Sequence, residues 1–177
     1  MDAETAADPT KISCDSMAMA DEGTQTRKFL LGTDDATIDD RGRVLFSRKK
    51  QERLGNNFAM LVNELGCVVC YPGDIWNEKV AEILSYDSLG AERQQYTRLF
   101  LQHAEDELSF DKQGRVVVPQ KLREIAKLKK NVKVVGAGDR VEIWSAEEYD
   151  RYQLAPNDYN VERKQTLQDS YKAMKQG

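Results

Sequence analysis

Between residues 28 and 155, short runs of alternating apolar and polar positions are cut by turns rich in glycine and aspartate, a pattern that predicts strands. Ala36 and Ile38 flank Thr37 ahead of Asp39-Asp40-Arg41-Gly42-Arg43, which leads into Val44-Leu45-Phe46. Leu108, Ser109 and Phe110 stand the same way ahead of Asp111-Lys112-Gln113-Gly114-Arg115, which leads into Val116-Val117-Val118. The two turns are 72 residues apart, and at that offset Lys49 also matches Lys121 and Glu52 matches Glu124. Further on, positions 58–62 and 67–71 occupy the places of 132–135 and 140–144.

Such matching means that one unit was built twice. Each copy predicts a strand, a glycine turn, a strand and a short helix. A second hairpin follows, closed around Asn63-Glu64-Leu65-Gly66 or Gly136-Ala137-Gly138-Asp139, and then another helix. A unit with so few strands has too small an apolar face to close a core alone, so the two copies must pair with each other. The predicted organisation is an N-terminal tail over 1–27, a first unit over 28–87, a linking helix over 88–104, a second unit over 105–155 and a polar C-terminal tail or helix over 156–177. In the linker, Tyr96, Leu99, Phe100 and His103 recur at helical spacing and are read as packing residues.

Composition narrows the function classes. With 177 residues, 40% hydrophobic and 32% charged, the chain can bury one core but not two large ones. No apolar run approaches the ~18 residues a membrane helix needs, and the start lacks the apolar stretch of a signal peptide, so a cytoplasmic protein is expected. Residues 1–27 carry six acidic residues against Lys11 and Arg27, which accounts for the whole net charge of −4 and predicts a flexible acidic tail. The rest is balanced overall but not locally. The turn-and-helix segments 39–53 and 111–130 hold 13 of its 24 basic residues and only 5 of its 24 acidic ones, which gives a neutral domain a positive face. A local basic patch is what nucleic acid responds to, because phosphate attraction fades within a Debye length of ~8–10 Å. An ordinary solvated helix face is the other reading of the same charges.

The turns carry the candidate chemistry. Gly42 and Gly114 supply the positive φ of a tight reversal, while Asp39 and Asp111 can accept turn N–H bonds or pair with the arginine four residues on. Arg43 and Arg115 would then project from a stiff base, as a bidentate contact to guanine O6 and N7 requires. Spacing alone equally allows both arginines to do no more than salt-bridge their own aspartates.

The order Asp-x-x-Gly-Arg, apolar strand, basic helix and a hairpin ending in Tyr71-Pro72 with Trp76 resembles the MraZ family of bacterial transcriptional regulators. His103-Ala104, the run 111–118 with Pro119, Val134-Val135-Gly136 and Glu142-Ile143-Trp144 extend the resemblance over about residues 29–152. It implies a β-rich α+β fold: two AbrB-like swapped-hairpin units in one chain, forming an interleaved β-barrel with short helices outside. It also implies a ring-like homo-oligomer on double-stranded DNA, repressing the division and cell-wall gene cluster from short, G-rich direct repeats upstream of its own operon. No cofactor, metal, membrane or small-molecule substrate is implied, and the protein would be nucleoid-associated. Carried over by position, the DNA-contacting arginine falls on Arg43, its counterpart on Arg115, and the supporting aspartates on Asp39 and Asp111.

The full DNA-binding set expected is Arg41, Arg43, Arg48, Lys49, Lys112, Arg115, Lys121 and Arg123, with Asp39, Gly42, Asp111 and Gly114 supporting the turns. Lys50, Lys127, Lys129 and Lys130 add charge to the helix flanks. The first unit departs from the family pattern, with Ser47 for proline and with Lys50, Gln51 and Arg53 where the second unit has Leu122, Arg123 and Ile125. Its helix is therefore expected to dock more loosely and to face DNA. A ring-forming scaffold of the same fold that binds protein is the competing function.

Other motifs carry less. Cys67-Val68-Val69-Cys70 has C-x-x-C spacing, but its valines read as strand and His103 is the only histidine, so neither a metal nor a redox role is expected. Trp76 and Trp144 read as packing residues at the passage from hairpin to helix. No phosphate loop, Ser/His/Asp set or tuned carboxylate pair is present, so an enzyme is not expected.

Overall fold

A computed structural model describes residues 29–152 together with positions 169, 172 and 174. The tails expected over 1–27 and 156–177 lie outside the described residues, those three positions excepted. Chain order is β1 (Leu30–Thr37), β2 (Arg43–Leu45), α1 (Arg48–Leu54), β3 (Phe58–Val62), β4 (Val68–Pro72), α2 (Gly73–Ser85) and α3 (Ala91–Leu101). The second half continues with β5 (Glu105–Leu108), β6 (Arg115–Val117), α4 (Gln120–Ile125), β7 (Asn131–Gly138), β8 (Val141–Ser145) and α5 (Ala146–Tyr152). The order strand, strand, helix, hairpin, helix occurs in both halves, with α2 and α3 between them, in a sheet-rich α+β fold.

The ladders cross between the halves. A six-stranded sheet runs β1-β7-β8-β4-β3-β5, every described pairing antiparallel, and β2 and β6 form a separate two-stranded ribbon. The first strand of each half therefore lies on the second hairpin of the other: β1 on β7, β5 on β3. The ribbon is also mixed, with Val44 opposite Val116 at its centre. The sheet has two ends, β1 and β5, so these ladders do not describe a closed barrel.

Burial follows the alternation. Val44 and Val116 point inward, and Phe46 and Val118 follow them into a core with Leu54, Leu122, Phe58, Val68, Val134 and Ile143. Phe110 bridges Phe46 and Phe58, its ring centroid 5.3 and 4.9 Å from theirs, so aromatic contacts tie the second half's turn region to the first half's strands. Trp76 and Phe100 stack at 6.2 Å over β3 and β4, and Trp144 packs on Tyr149 and Tyr152, as expected of packing tryptophans. The linking helix is split: α2 buries Ile75, Trp76 and Ile83, while α3 covers only 91–101 of the expected 88–104 and has no fully buried residue. His103 lies just beyond it, half-buried.

The first hairpin closes where expected. Asn63 Oδ1 accepts from the N–H of Leu65 at 3.1 Å and of Cys67 at 3.2 Å. The second does not: β7 runs through Gly138, and its turn lies at Asp139-Arg140. Gly136 reads as a turn residue in sequence because glycine punctuates loops, yet here it serves close approach of two backbones. A Cβ on Gly136 would stand 2.4 Å from the backbone N of Leu31 in β1.

Candidate nucleic-acid interface

Each glycine turn is a short closed circuit. In the first, Asp39 N donates to Arg43 O at 3.0 Å and Gly42 N to Asp39 O at 2.8 Å, with Gly42 at φ 77°. In the second, Asp111 N donates to Arg115 O at 2.8 Å and Gly114 N to Asp111 O at 2.9 Å, with Gly114 at φ 78°. A left-handed φ costs an L-residue roughly 1–2 kcal/mol, so glycine at the third place after aspartate follows from the backbone itself.

The aspartates hold both the turn and the arginine. Asp39 Oδ1 accepts from the N–H of Arg41 at 3.0 Å and of Arg43 at 2.9 Å, while Oδ2 accepts from Arg43 Nε and Nη2, each at 2.7 Å. Asp111 Oδ1 accepts from the N–H of Gln113 at 2.8 Å and of Arg115 at 2.9 Å, and Oδ2 from Arg115 Nε at 2.9 Å. The Arg43 guanidinium, helped by its own backbone N–H, pulls the Asp39 carboxyl down to about 2. Asp111 is lowered too, there first by the backbone N–H of Arg115. The pairing that sequence spacing allowed is therefore present at both turns. It uses one side of each guanidinium, and a planar fork has further N–H donors to offer.

Side chains on a ribbon alternate, so Arg43, Leu45, Arg115 and Val117 share the face opposite the buried valines. Arg43 and Arg115 keep 23% and 29% of their side-chain surface, whereas Leu45 and Val117 are half exposed. The arginines are not sealed in the core. Arg41, Lys49, Lys112 and Lys121 are exposed, and none of them, nor Arg123, pairs with a carboxylate among the described residues. Arg48 pairs with its own Glu52 at 3.0 Å with both side chains largely exposed, and Lys129 with Glu147 at 2.7 Å.

Lys50 and Arg53 overturn an expectation. Instead of facing DNA from a loosely docked helix, Lys50 is 3% exposed and its Nζ donates to Asp34 Oδ2 at 2.8 Å. Burial pushes the Asp34 carboxyl upward, but hydrogen bonds from Lys50 and Ser47 outweigh it and hold it below its ordinary value. Arg53 turns back onto the carbonyl of Phe29. The reason is positional: Lys50 stands where α4 buries Leu122, so it enters the core side and needs a carboxylate there. Ser47 at the N-cap of α1 makes no side-chain cap bond, and Pro119 sits at the N-cap of α4.

Sequence reasoning also missed what covers the turns. Gln51 of α1 lies over Gly114, and Arg123 of α4 lies over Gly42. No local signal marks this, because each contact joins residues of different halves.

Elsewhere, Cys67 and Cys70 are buried free thiols facing different clusters. Burial, with Glu142 nearby, pushes Cys67 up to about 12, and burial raises Cys70 as well, which disfavours the thiolate that redox or metal chemistry uses. An open groove of about 890 Å³ lined by Tyr71, Ile83, Tyr86, Tyr96 and Phe100 includes no residue of either Asp-x-x-Gly-Arg turn. Among the described residues no helix is long and apolar enough to cross a membrane.

Comparison with known proteins places these features in a family. Residues 100–169 match the family described as "MraZ protein, putative antitoxin-like". Over 124 residues the chain is 38% identical to a protein named Transcriptional regulator MraZ from Desulforamulus reducens, covering 70% of this chain and 87% of that protein. Proteins of the same name from Natranaerobius thermophilus and Lactiplantibacillus plantarum are 36% identical over 117 residues and 34% over 125. Those matches cover 66% and 71% of this chain, and 81% and 88% of the relatives.

Proposed function

This chain belongs to the MraZ family, and on that premise we propose that it is a sequence-specific regulator of transcription that binds double-stranded DNA through Arg43 and Arg115. The observation that carries the reading is the ribbon face. Two arginines, each fixed by its own aspartate, sit on one outward surface, with Arg41 and Lys112 in the same turns and Lys49, Lys121 and Arg123 on the helices that follow, none of these five paired with a carboxylate among the described residues. Two-stranded ribbons fit the major groove, where a fork of donors matches guanine O6 and N7. The aspartates fix direction and the remaining donors do the reading. The exposed lysines and Arg48 serve phosphates, which position the protein without specifying sequence.

The finer reading follows from the family and from numbers of contacts. One turn binds weakly, but a ring-like homo-oligomer offering several turns to short direct repeats gains through effective concentration. Exposed Leu84, Leu89 and Leu99 on α2, α3 and the loop between them support self-association. Strands exchanged between halves, together with a mixed ribbon, support an interleaved swapped-hairpin arrangement built on an open sheet. Occupation of G-rich repeats upstream of the division and cell-wall cluster then represses it, which places the protein in the cytoplasm at the nucleoid.

The test is a gel shift on the protein's own upstream region. Arg43→Ala combined with Arg115→Ala should abolish the shift while leaving the thermal melt cooperative, and an unchanged shift sinks the proposal. Wild-type binding should also weaken steeply with salt, whereas a protein-binding scaffold with a mainly apolar interface would respond little.

A further inference from the structure

We infer that the two turns are chemically unlike reading heads, each completed by a side chain from the other half of the chain: Arg123 at the first turn and Gln51 at the second. The inference deepens the DNA-binding reading and depends on it. Arg123 leaves α4, donates its Nε to Val118 O at 3.0 Å and lays its guanidinium over Gly42, where a Cβ would stand 2.9 Å from Cζ and Nη2. Gln51 leaves α1, donates its Nε2 to Phe46 O at 2.6 Å and lies over Gly114, where a Cβ would stand 2.1 Å from that Nε2. Strand bonds cross in the same sense, Val118 N to Gly42 O at 2.9 Å and Phe46 N to Gly114 O at 3.1 Å. The positions are equivalent at the 72-residue offset of the repeat, and the two side chains there are not.

The consequence is a difference in chemistry at matched places. Around Gly42 stand Arg41, Arg43 and Arg123, three guanidinium groups from two elements far apart in sequence. Around Gly114 stand Arg115, Lys112 and two carboxamides, Gln113 and Gln51. Guanidinium forks match guanine O6 and N7, whereas a carboxamide matches adenine N6 and N7. Two identical heads related by a dyad would read an inverted site alike in both directions. Unlike heads give the site a direction, with a guanine-demanding half under the first turn and a half that accepts adenine under the second. Gln51 thereby becomes a specificity residue, and Arg123 acts at the turn of the other unit.

Each residue's equivalent already exists in the same chain, so the swaps Gln51→Arg and Arg123→Gln keep a donor for the strand carbonyl beneath. The experiment selects from a library of duplexes with a randomised central segment, using full-length wild type, each single swap and the double swap, with thermal melts of all four. The wild type should enrich a non-palindromic sequence. Gln51→Arg should draw the second half toward the first, and Arg123→Gln should draw the first toward the second, weakening binding to the wild-type sequence about tenfold. The double swap should reduce the polarity, because Arg41 and Gln113 stay in place, and it carries the test if a single swap melts without cooperativity. The same enriched sequence for all four proteins, or a palindrome from the wild type, overturns the inference and leaves DNA binding intact. Uniform weakening by Arg123→Gln with a salt slope lower by about one marks a phosphate contact and overturns it too. No enrichment by the wild type overturns the DNA-binding reading itself, and this inference with it.

Discussion

Around Gly42 and Gly114 the chain bends almost identically, at φ 77° and 78°, and each turn is tied by the same aspartate-to-arginine bonds. Away from the turns the halves diverge. On the first side β1 pairs with β7 over all eight of its residues, whereas on the second β5 meets β3 only at Leu108 and Glu105, around a bulge at Met60 and Phe58. Under the helices, Lys50 and Asp34 occupy the first unit where Leu122 alone fills the second. Duplication thus preserved the aspartate-to-arginine frame of each turn and let the packing behind it drift.

The sharpest way to break the comparison is at Gly136, which has no close-approach counterpart on the β5 side. A methyl there meets backbone atoms of Leu30 and Leu31, which cannot rotate away. Gly136→Ala should destabilise by about 3 kcal/mol, at the upper end of overpacking costs, and urea denaturation should show a lower midpoint. Next comes Lys50→Leu, which copies the second unit into the first and leaves Asp34 without its partner. Removing one member of a buried pair costs ~3–5 kcal/mol, but Asp34 keeps 39% of its side-chain surface, so about 1–2 kcal/mol is expected. Adding Asp34→Ala should recover most of that loss in the same urea experiment. If Lys50→Leu alone were neutral, the ion pair would not be what docks α1.

Lys50 also shows where the chain's legibility ends. The doubled Asp-x-x-Gly-Arg turn could be read directly, because its geometry depends on residues within five places of one another. Strand existence was legible from alternation for the same local reason. Pairing was not: that β1 lies on β7 and β5 on β3 is a choice among distant partners, and alternation says which face is buried without saying against what. Lys50 looked solvent-facing because its charge was counted without Asp34, 16 residues earlier, whose inward place on β1 follows Ile38 and Ala36 in alternation. Gly136 looked like a turn because glycine has two uses and the second needs the neighbouring strand.

A smaller effect of opposite sign belongs to the weak edge. Glu107 takes φ 55° beside the bulge between β5 and β3, a conformation that costs an L-residue roughly 1–2 kcal/mol. Glu107→Gly removes that strain but frees the unfolded chain, so a net gain of about 0.5 kcal/mol is expected in thermal or urea melts. A loss would mean that the Glu107 side chain itself holds the edge. No comparable gain exists on β1, where the left-handed position is already Gly32, at φ 83°.

Acid separates the two turns most finely. A carboxyl depressed in the folded state contributes stability above its unfolded value and loses it as pH falls through the folded one. For Asp39 that window runs from 3.8 down to about 2, so the first turn should loosen only in that range. Asp39 owes its shift first to the Arg43 side chain, and Asp111 owes its first to a backbone N–H. Asparagine keeps an oxygen that accepts backbone bonds but not the charge that binds guanidinium. Asp39→Asn should therefore lower the melting temperature more than Asp111→Asn at neutral pH, and the gap between Asp39→Asn and wild type should close as pH drops below 3.8 toward about 2. A gap that persists unchanged at the acid end would mean that Asp39 acts through its shape and backbone bonds, leaving the arginine's direction to be set by something other than its charge.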